Sequence, residues 1–384
     1  MELSERAKQF KISGIRVLFE KAEKYQNTIN FGIGEPGFRP SQNIIDKTAW
    51  ALNNGYTKYV SNAGIMPLRE AIAKRSRKLN GLDCDVSNVH VFVGATHALL
   101  MAMLSILNPG DDILIPCPYY AAYIGMVDMA EAHIVDVPVY EKDKFHVKAE
   151  NLEKCLTPRT KALVINSPSN PLGSVTPPED LKEIAEFAMK HDLWVISDEP
   201  YESLLYDGAK QMSIGSLPGM KDRTITVNSF SKTYAMAGFR VGWFIGPADL
   251  CTQVTKIQSS TTSSVAGAIQ VGALEALTGP QNYVQEMVRE YNVRRKLMVD
   301  GLNRIKGFSC LTPEGAFYTF PNIQATGMDS WTLAEYILDK VQVVTVPGVS
   351  FGKYGEGYLR VSFCTETENI VEGLRRMEAL FGTK

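Results

Sequence analysis

No two of the six cysteines, Cys84, Cys117, Cys155, Cys251, Cys310 and Cys364, stand within thirty residues of one another. That spacing excludes a CxxC metal or redox pair, and scattered thiols suit a reducing, cytoplasmic compartment. Histidine is scarce too: the five present show no HExxH or related ligand spacing, so no metal is expected. Neither sign of charge is in excess. Forty Lys and Arg against 42 Asp and Glu leave a net charge of −2, which gives no reason to expect nucleic acid. The amino-terminal MELSERAKQFKISGIR has no apolar run of the secretory kind. The longest uncharged stretch, residues 86–110, is long enough to span a bilayer. Within it, however, Val89, Val91 and Val93 alternate with His90 and Phe92, Gly94 breaks the run, and a helical pattern opens at Thr96 and His97. A buried strand followed by a buried helix is therefore expected, and no membrane span.

What is present is ordinary globular composition, 45% apolar and 21% charged, in a chain of 384 residues that exceeds one ordinary core. Strand-like runs alternate with amphipathic helical ones: VHVFV (89–93), ILI (113–115), ALVI (162–165), LWVI (193–196) and TITV (224–227), with a helix at about 178–191 whose Leu181, Ile184, Ala185 and Ala188 share one face. Such βαβ alternation predicts an α/β fold with a mostly parallel sheet covered by helices, and ligands at the carboxyl ends of its strands. Gly94, Asn166 to Asn170, Asp198 and Ser229 to Lys232 each follow one of these strands. Beyond about residue 285, a charged helix and short strands in GAFYTF and YLRVSF indicate a second, smaller α+β unit. SSTTSS (259–264) reads as a loop before a helix starting near Val265.

Six short segments carry chemistry. In SFSKTYAMAGFR, Lys232 lies between Ser231 and Thr233, with Ser229 before it and Arg240 eight residues after. A lysine amine forms a Schiff base with an aldehyde where its surroundings favour the neutral form, and the serines and the arginine suit a phosphate. Taken alone, the segment is as compatible with a solvated surface loop. In SDEPY, Asp198 suits either a protonated pyridine nitrogen or a helix cap, and Tyr201 a ring oxygen. Asn170 stands in NSPSNPLG, stiffened by Pro168 and Pro171 into a ligand-holding loop or a plain turn. GAT (94–96) starts a helix whose free amides at Ala95 and Thr96 suit a phosphate or merely begin the helix. His97 beside it reads as a pocket wall or buried polar residue. PCPYYAAY offers Tyr119, Tyr120 and Tyr123 as stacking faces or core. In GYLRVSF, alternation sets Arg360 opposite Leu359 and Val361, as a carboxylate fork or an exposed strand arginine.

Together and in this order, with GIGEPGF (32–38) and Tyr59 in KY ahead of them, these segments resemble the class I/II aminotransferases of the fold type I pyridoxal-phosphate enzymes, from about Ile12 to the carboxyl terminus. Gly37 stands where many members have Asp, Leu172 where Thr is common and Tyr120 where some have Trp. The resemblance implies a large domain at 41–284 and a small one made of 1–40 and 285–384. It implies pyridoxal 5'-phosphate held by Lys232 as a Schiff base, with Asp198 and Tyr201 completing the catalytic set. Tyr59, Gly94, Ala95, Thr96, Tyr120, Asn170, Ser229, Ser231 and Arg240 would join those three in holding the cofactor, and Gly34, Asn170 and Arg360 would hold the substrate.

It further implies a homodimer with shared active sites, Tyr59 reaching the neighbour's phosphate, and ping-pong transamination between an amino acid and a 2-oxo acid such as 2-oxoglutarate. Thr96 occupies the place where some aspartate-directed relatives carry a lysine. A broad donor range, aspartate or glutamate with aromatic and other neutral amino acids, is therefore expected, in a partly apolar pocket of Tyr119, Tyr120, Tyr123, Ile12, Ile15 and Phe19. The same fold also supports β-elimination of sulfur amino acids, as a C–S lyase. A cofactor-sensing regulatory domain and a scaffold with a vestigial site are the readings from other classes. The first would come with a basic DNA-binding region that this chain lacks, and the intact set argues against both.

Overall fold

The computed structural model of the protein describes residues 1–4, 7–8 and 14–384. Among them are twelve strands: β1 (Ile29–Asn30), β2 (Val89–Phe92), β3 (Asp112–Cys117), β4 (His133–Pro138), β5 (Thr160–Asn166), β6 (Trp194–Asp198), β7 (Thr224–Ser229), β8 (Gly242–Ile245), β9 (Tyr318–Thr319), β10 (Val343–Val344), β11 (Val346–Pro347) and β12 (Leu359–Ser362). Seven form one sheet in the order β2-β8-β7-β6-β5-β3-β4. Its pairings are parallel except those of β8, which runs antiparallel to β2 and β7.

Side-chain alternation along the strands explains why both faces of this sheet are covered. Ile113 and Ile115 of β3 join Val164, Ile196 and Val227 in one apolar cluster, with Ala98, Leu99, Ala102 and Ile106 of the helix Gly94–Ile106. Leu114, Leu163, Ile165 and Val195 face the other way, against Leu181, Ile184, Ala185 and Ala188 of the helix Pro178–Lys190. That helix starts with proline and Glu179 and Asp180 in its first turn and ends on Lys190, which suits its dipole at both ends. Each such Leu or Ile taken from water stabilises the fold by about 1.5–3 kcal/mol.

The remaining strands draw the two ends of the chain together. β1 pairs parallel with β10, and β11-β12-β9 form a second small sheet. Phe31, Met298, Phe317, Val361 and Leu374 share one apolar cluster, to which Tyr201 and Leu204 also belong. The uncharged stretch at 86–110 folds as β2 and the helix Gly94–Ile106, and among the described residues no helix is long and apolar enough to cross a membrane.

Register places the strand ends side by side. Asn166 pairs with Asp198, Asp198 with Val227, and Gly242 with both Ser229 and Phe92. The polar residues that follow β2, β5, β6 and β7 therefore reach one edge of the sheet, beneath the segment that carries β9 and β12.

Candidate active site

A cavity of about 350 Å³ opens at that edge. Gly34, Ala95, Thr96, Tyr120, Asn170, Asp198, Tyr201, Ser229, Ser231, Lys232, Arg240 and Arg360 line it, together with Phe19, Gly32, Leu99, Asn166, Pro200, Ala237 and Tyr318.

Lys232 sits in the helical turn Phe230–Thr233 that directly follows β7. Ser229 starts the turn: its hydroxyl accepts from the Ser231 amide at 3.0 Å, so this serine orients the loop. Lys232 Nζ donates to the Gly34 carbonyl at 2.5 Å and lies 5.5 Å from the centre of the Phe317 ring and 5.9 Å from that of Tyr201. Burial among these groups pulls its pKa down to about 8, which makes the neutral, nucleophilic amine accessible near neutral pH.

Asp198 ends β6 and is almost wholly buried. Tyr123 donates to its Oδ2 at 2.6 Å, and the Asn166 amide reaches its carbonyl at 2.9 Å and its Oδ2 at 3.4 Å. Oδ1 has no partner, although it is buried. Burial, opposed by the Tyr123 bond, raises the carboxyl to about 7. A cationic donor placed at Oδ1 would restore the charged form. Asp198 caps no helix: the chain leaves β6 through the turn that carries Tyr201.

Arg360 is 5% exposed on β12, so it is not a surface arginine. Its guanidinium lies between the rings of Tyr318 and Phe351, 4.6 and 4.8 Å from their centres. Nη1 donates to Asn170 Oδ1 at 3.0 Å and Nη2 to the Gly32 carbonyl at 2.6 Å, while Nε has no partner. The fork is thus held rigidly from one side, with capacity left for an anion.

On the opposite wall, Ala95 and Thr96 open the helix Gly94–Ile106. Gly94 does not line the cavity but makes its shape possible. Its φ is +80°, and a Cβ there would come within 2.6 Å of Arg240 Nη2. Arg240, itself at φ 53°, donates to the Ala237 carbonyl at 2.8 Å. Amides, hydroxyls and a guanidinium converge here as an anion seat.

The other residues read from the sequence divide between the cavity and its surroundings. Of the three tyrosines after β3, Tyr120 alone lines the cavity. Tyr123 is buried beneath it as the Asp198 donor, and Tyr119 packs where a Cβ on Gly352 would fall, 3.3 Å away. Strand-end sequence alone does not say which ring faces the cavity. His97 is turned away, edge-on to Phe92 at 5.6 Å, with burial lowering its pKa. Phe19 lines the cavity, whereas Ile12 and the side chain of Ile15 lie outside the described residues. Tyr59 is 93% exposed and outside the cavity of its own chain. Tyr318 was not picked out from sequence, and neither were the contacts that Tyr123 and Asn166 make with the Asp198 carboxylate. Asn166 carried a signal as the polar residue that directly follows ALVI, whereas its pairing with Asp198 is tertiary.

Comparison with known proteins agrees with this geometry. Residues 26–377 match the family model described as aminotransferase class I and II. The chain is 43% identical to the aspartate aminotransferase of Pyrococcus abyssi, over 100% of this chain and 99% of that one. It is 41% identical, with the same coverage, to the aromatic-amino-acid aminotransferase 2 of Thermococcus litoralis. The solved structure of the Thermus thermophilus aspartate aminotransferase with maleate superposes with a TM-score of 0.94 at 34% identity, covering 99% of this chain and 100% of that one.

Proposed function

The chain belongs to the class I and II aminotransferases and is a pyridoxal-phosphate-dependent enzyme of transamination, and we propose that Lys232, Asp198 and Arg360 carry the reaction in the cavity described above. The observation that supports this most is the pairing of a lysine made less basic by burial with a buried carboxylate oxygen that lacks a partner. That donor set fits the cofactor: an aldehyde needs the neutral amine, and a protonated ring nitrogen needs Oδ1.

When bound, pyridoxal phosphate supplies the aldehyde carbon that takes the amino group and the cationic ring that accepts the electron pair left at Cα. Lys232 Nζ would hold it and, as a neutral amine, would take the substrate Cα proton, a contribution of about 10²–10⁴-fold. Asp198 Oδ1 would keep the ring nitrogen protonated, while Tyr123 and Asn166 hold that carboxylate in place. Tyr201 would donate to the ring oxygen, and Tyr120 would offer its face to the ring. Ala95, Thr96, Ser229, Ser231 and Arg240 receive the phosphate, with Gly94 giving Arg240 room. Arg360 takes the substrate α-carboxylate with Asn170 and the backbone near Gly34.

Architecture and assembly belong to the same proposal. Residues 41–284 form the cofactor-binding domain, and 1–40 with 285–384 the smaller domain that brings Arg360 over it. The protein works as a homodimer in which Tyr59 reaches the neighbour's phosphate. Supporting this, Trp50, Tyr56, Tyr59 and Met66 are exposed together along residues 50–66. The six cysteines are all free, which suits the cytoplasm.

For substrates, we infer a broad range of donors, aromatic and neutral amino acids alongside aspartate or glutamate, with 2-oxoglutarate as an acceptor. The relatives named for aspartate and for aromatic amino acids support both kinds of donor. Apart from Lys232, Arg240 and Arg360, no cationic side chain lines the cavity among the described residues. A donor panel tests this. Aspartate and phenylalanine should differ by about 10²-fold or less in kcat/KM, and Arg360→Lys should lower every donor together because the planar fork is lost. A preference of about 10⁴-fold for one dicarboxylic donor would contradict the reading.

A further inference from the structure

We propose that Tyr318 is a positioning residue for transamination, its hydroxyl completing a donor chain that runs through Tyr201 to the ring oxygen of the cofactor. The inference rests on the placement of Tyr201 proposed above and goes beyond it. Tyr318 stands on β9, whose register with β12 sets it opposite Ser362, two residues from Arg360. Its hydroxyl lies 3.0 Å from that of Tyr201, and both tyrosines line the cavity. Burial raises both phenols above their ordinary range, so each keeps its proton at neutral pH. Two protonated hydroxyls joined by one hydrogen bond leave one proton free to be donated elsewhere.

Either hydroxyl can donate to the other, and the donor role is assigned to Tyr318. The face of the Tyr318 ring is fixed against the Arg360 guanidinium. Its oxygen lies 2.6 Å from where a Cβ on Gly34 would be, so this hydroxyl fills the space a side chain there would need. The Gly34 carbonyl in turn receives Lys232 Nζ. With its ring held in this way, Tyr318 in the proposed arrangement donates to the Tyr201 oxygen and leaves the Tyr201 proton for the cavity. A donor whose own oxygen accepts a bond is the stronger donor, by about 10–30% per bond. Tyr201 thereby stabilises the anionic ring oxygen that remains when the Lys232–cofactor linkage loses its proton, which holds the pH midpoint of that linkage down.

The experiment is an absorbance titration of the yellow holoenzyme, from about pH 5 to 10, spanning the midpoint expected for such a linkage. Wild type, Tyr201→Phe, Tyr318→Phe and the double variant are compared. Tyr201→Phe should raise the midpoint by about one pH unit and Tyr318→Phe by roughly 0.3–0.8 in the same direction. The double variant should match Tyr201→Phe. Donor KM should change less than about two-fold in Tyr318→Phe, because the ring over Arg360 remains. An unchanged midpoint in Tyr318→Phe, beside a shifted Tyr201→Phe, overturns the inference, as does a double variant shifted well beyond Tyr201→Phe. No shift in Tyr201→Phe overturns instead the placement of Tyr201 on which it rests.

Discussion

Two adjacent carboxyls at the end of β6 have opposite surroundings. Asp198 lines the cavity with one oxygen unpartnered, whereas Glu199 is fully buried and receives both serine hydroxyls around it, Ser197 at 2.7 Å and Ser213 at 2.5 Å. Burial, reinforced by the nearby Glu202, raises Glu199 to about 8 against the hydrogen bonds of the serines. A carboxyl whose folded pKa lies above its unfolded value adds stability that is complete below about 4.5 and is lost as the pH rises through about 8. Glu199→Gln cannot lose it. Thermal melts of the cofactor-loaded protein should therefore show the wild type weakening from pH 5.5 to 9 with a slope of up to about 1.4 kcal/mol per pH unit. Glu199→Gln should weaken less over the same range. Parallel pH profiles for the two proteins would show that Glu199 is already ionised at neutral pH.

Among the elements, the junction between β2 and its helix is tightly constrained. Gly94 combines a positive φ with the nearby Arg240 guanidinium, so Gly94→Ala is strained twice. It should cost about 1 kcal/mol or more of stability and weaken cofactor binding by roughly tenfold, measured by equilibrium dialysis against free cofactor. Unaltered affinity would mean that the phosphate does not sit at this helix end. The same junction shows what was legible beforehand. Alternation in VHVFV and the break at Gly94 marked strand, turn and helix from local rules, and the observed helix begins two residues earlier than Thr96. The polar groups after β2, β5, β6 and β7 were likewise identifiable, because each follows its own strand. Their neighbour relations were not, since the order β8-β7-β6-β5 and the antiparallel course of β8 are tertiary. Tyr318 illustrates the limit best. It lies in GAFYTF, an apolar run that reads as core, and becomes part of the site only because β9 pairs with β12 beside Arg360. Tyr123 reads from sequence as a stacking face or core, and its hydroxyl matters instead because Asp198 lies 2.6 Å away.

At the scale of the whole molecule, a cavity whose anion seat comes from one part of the chain and whose Arg360 comes from β12 depends on both parts staying docked. Phe31, Tyr201, Phe317 and Val361 share one core across that boundary. The proposed homodimer, in which the exposed aromatic segment at 50–66 meets another copy of the chain, would add a second dependence. Dilution should lower the fraction of cofactor retained as dimers dissociate. Tyr59→Phe should weaken retention about tenfold without dissociating the dimer, because a ring remains and only the hydroxyl is lost. Sedimentation of a fully active monomer would remove this part of the account.

The central claim, that Lys232 carries transamination in this cavity, is tested most directly by a single half-reaction followed in the absorbance of the holoenzyme. Adding an amino acid alone should bleach the yellow form, and adding 2-oxoglutarate should restore it, one equivalent of amino group per site. Borohydride should fix the cofactor covalently to the untreated wild type. Lys232→Ala should bind the cofactor without being fixed by borohydride, and its bleaching should slow by about 10²–10⁴-fold or more. Bleaching of Lys232→Ala at the wild-type rate, or covalent fixation of the cofactor to that variant, would contradict the assignment.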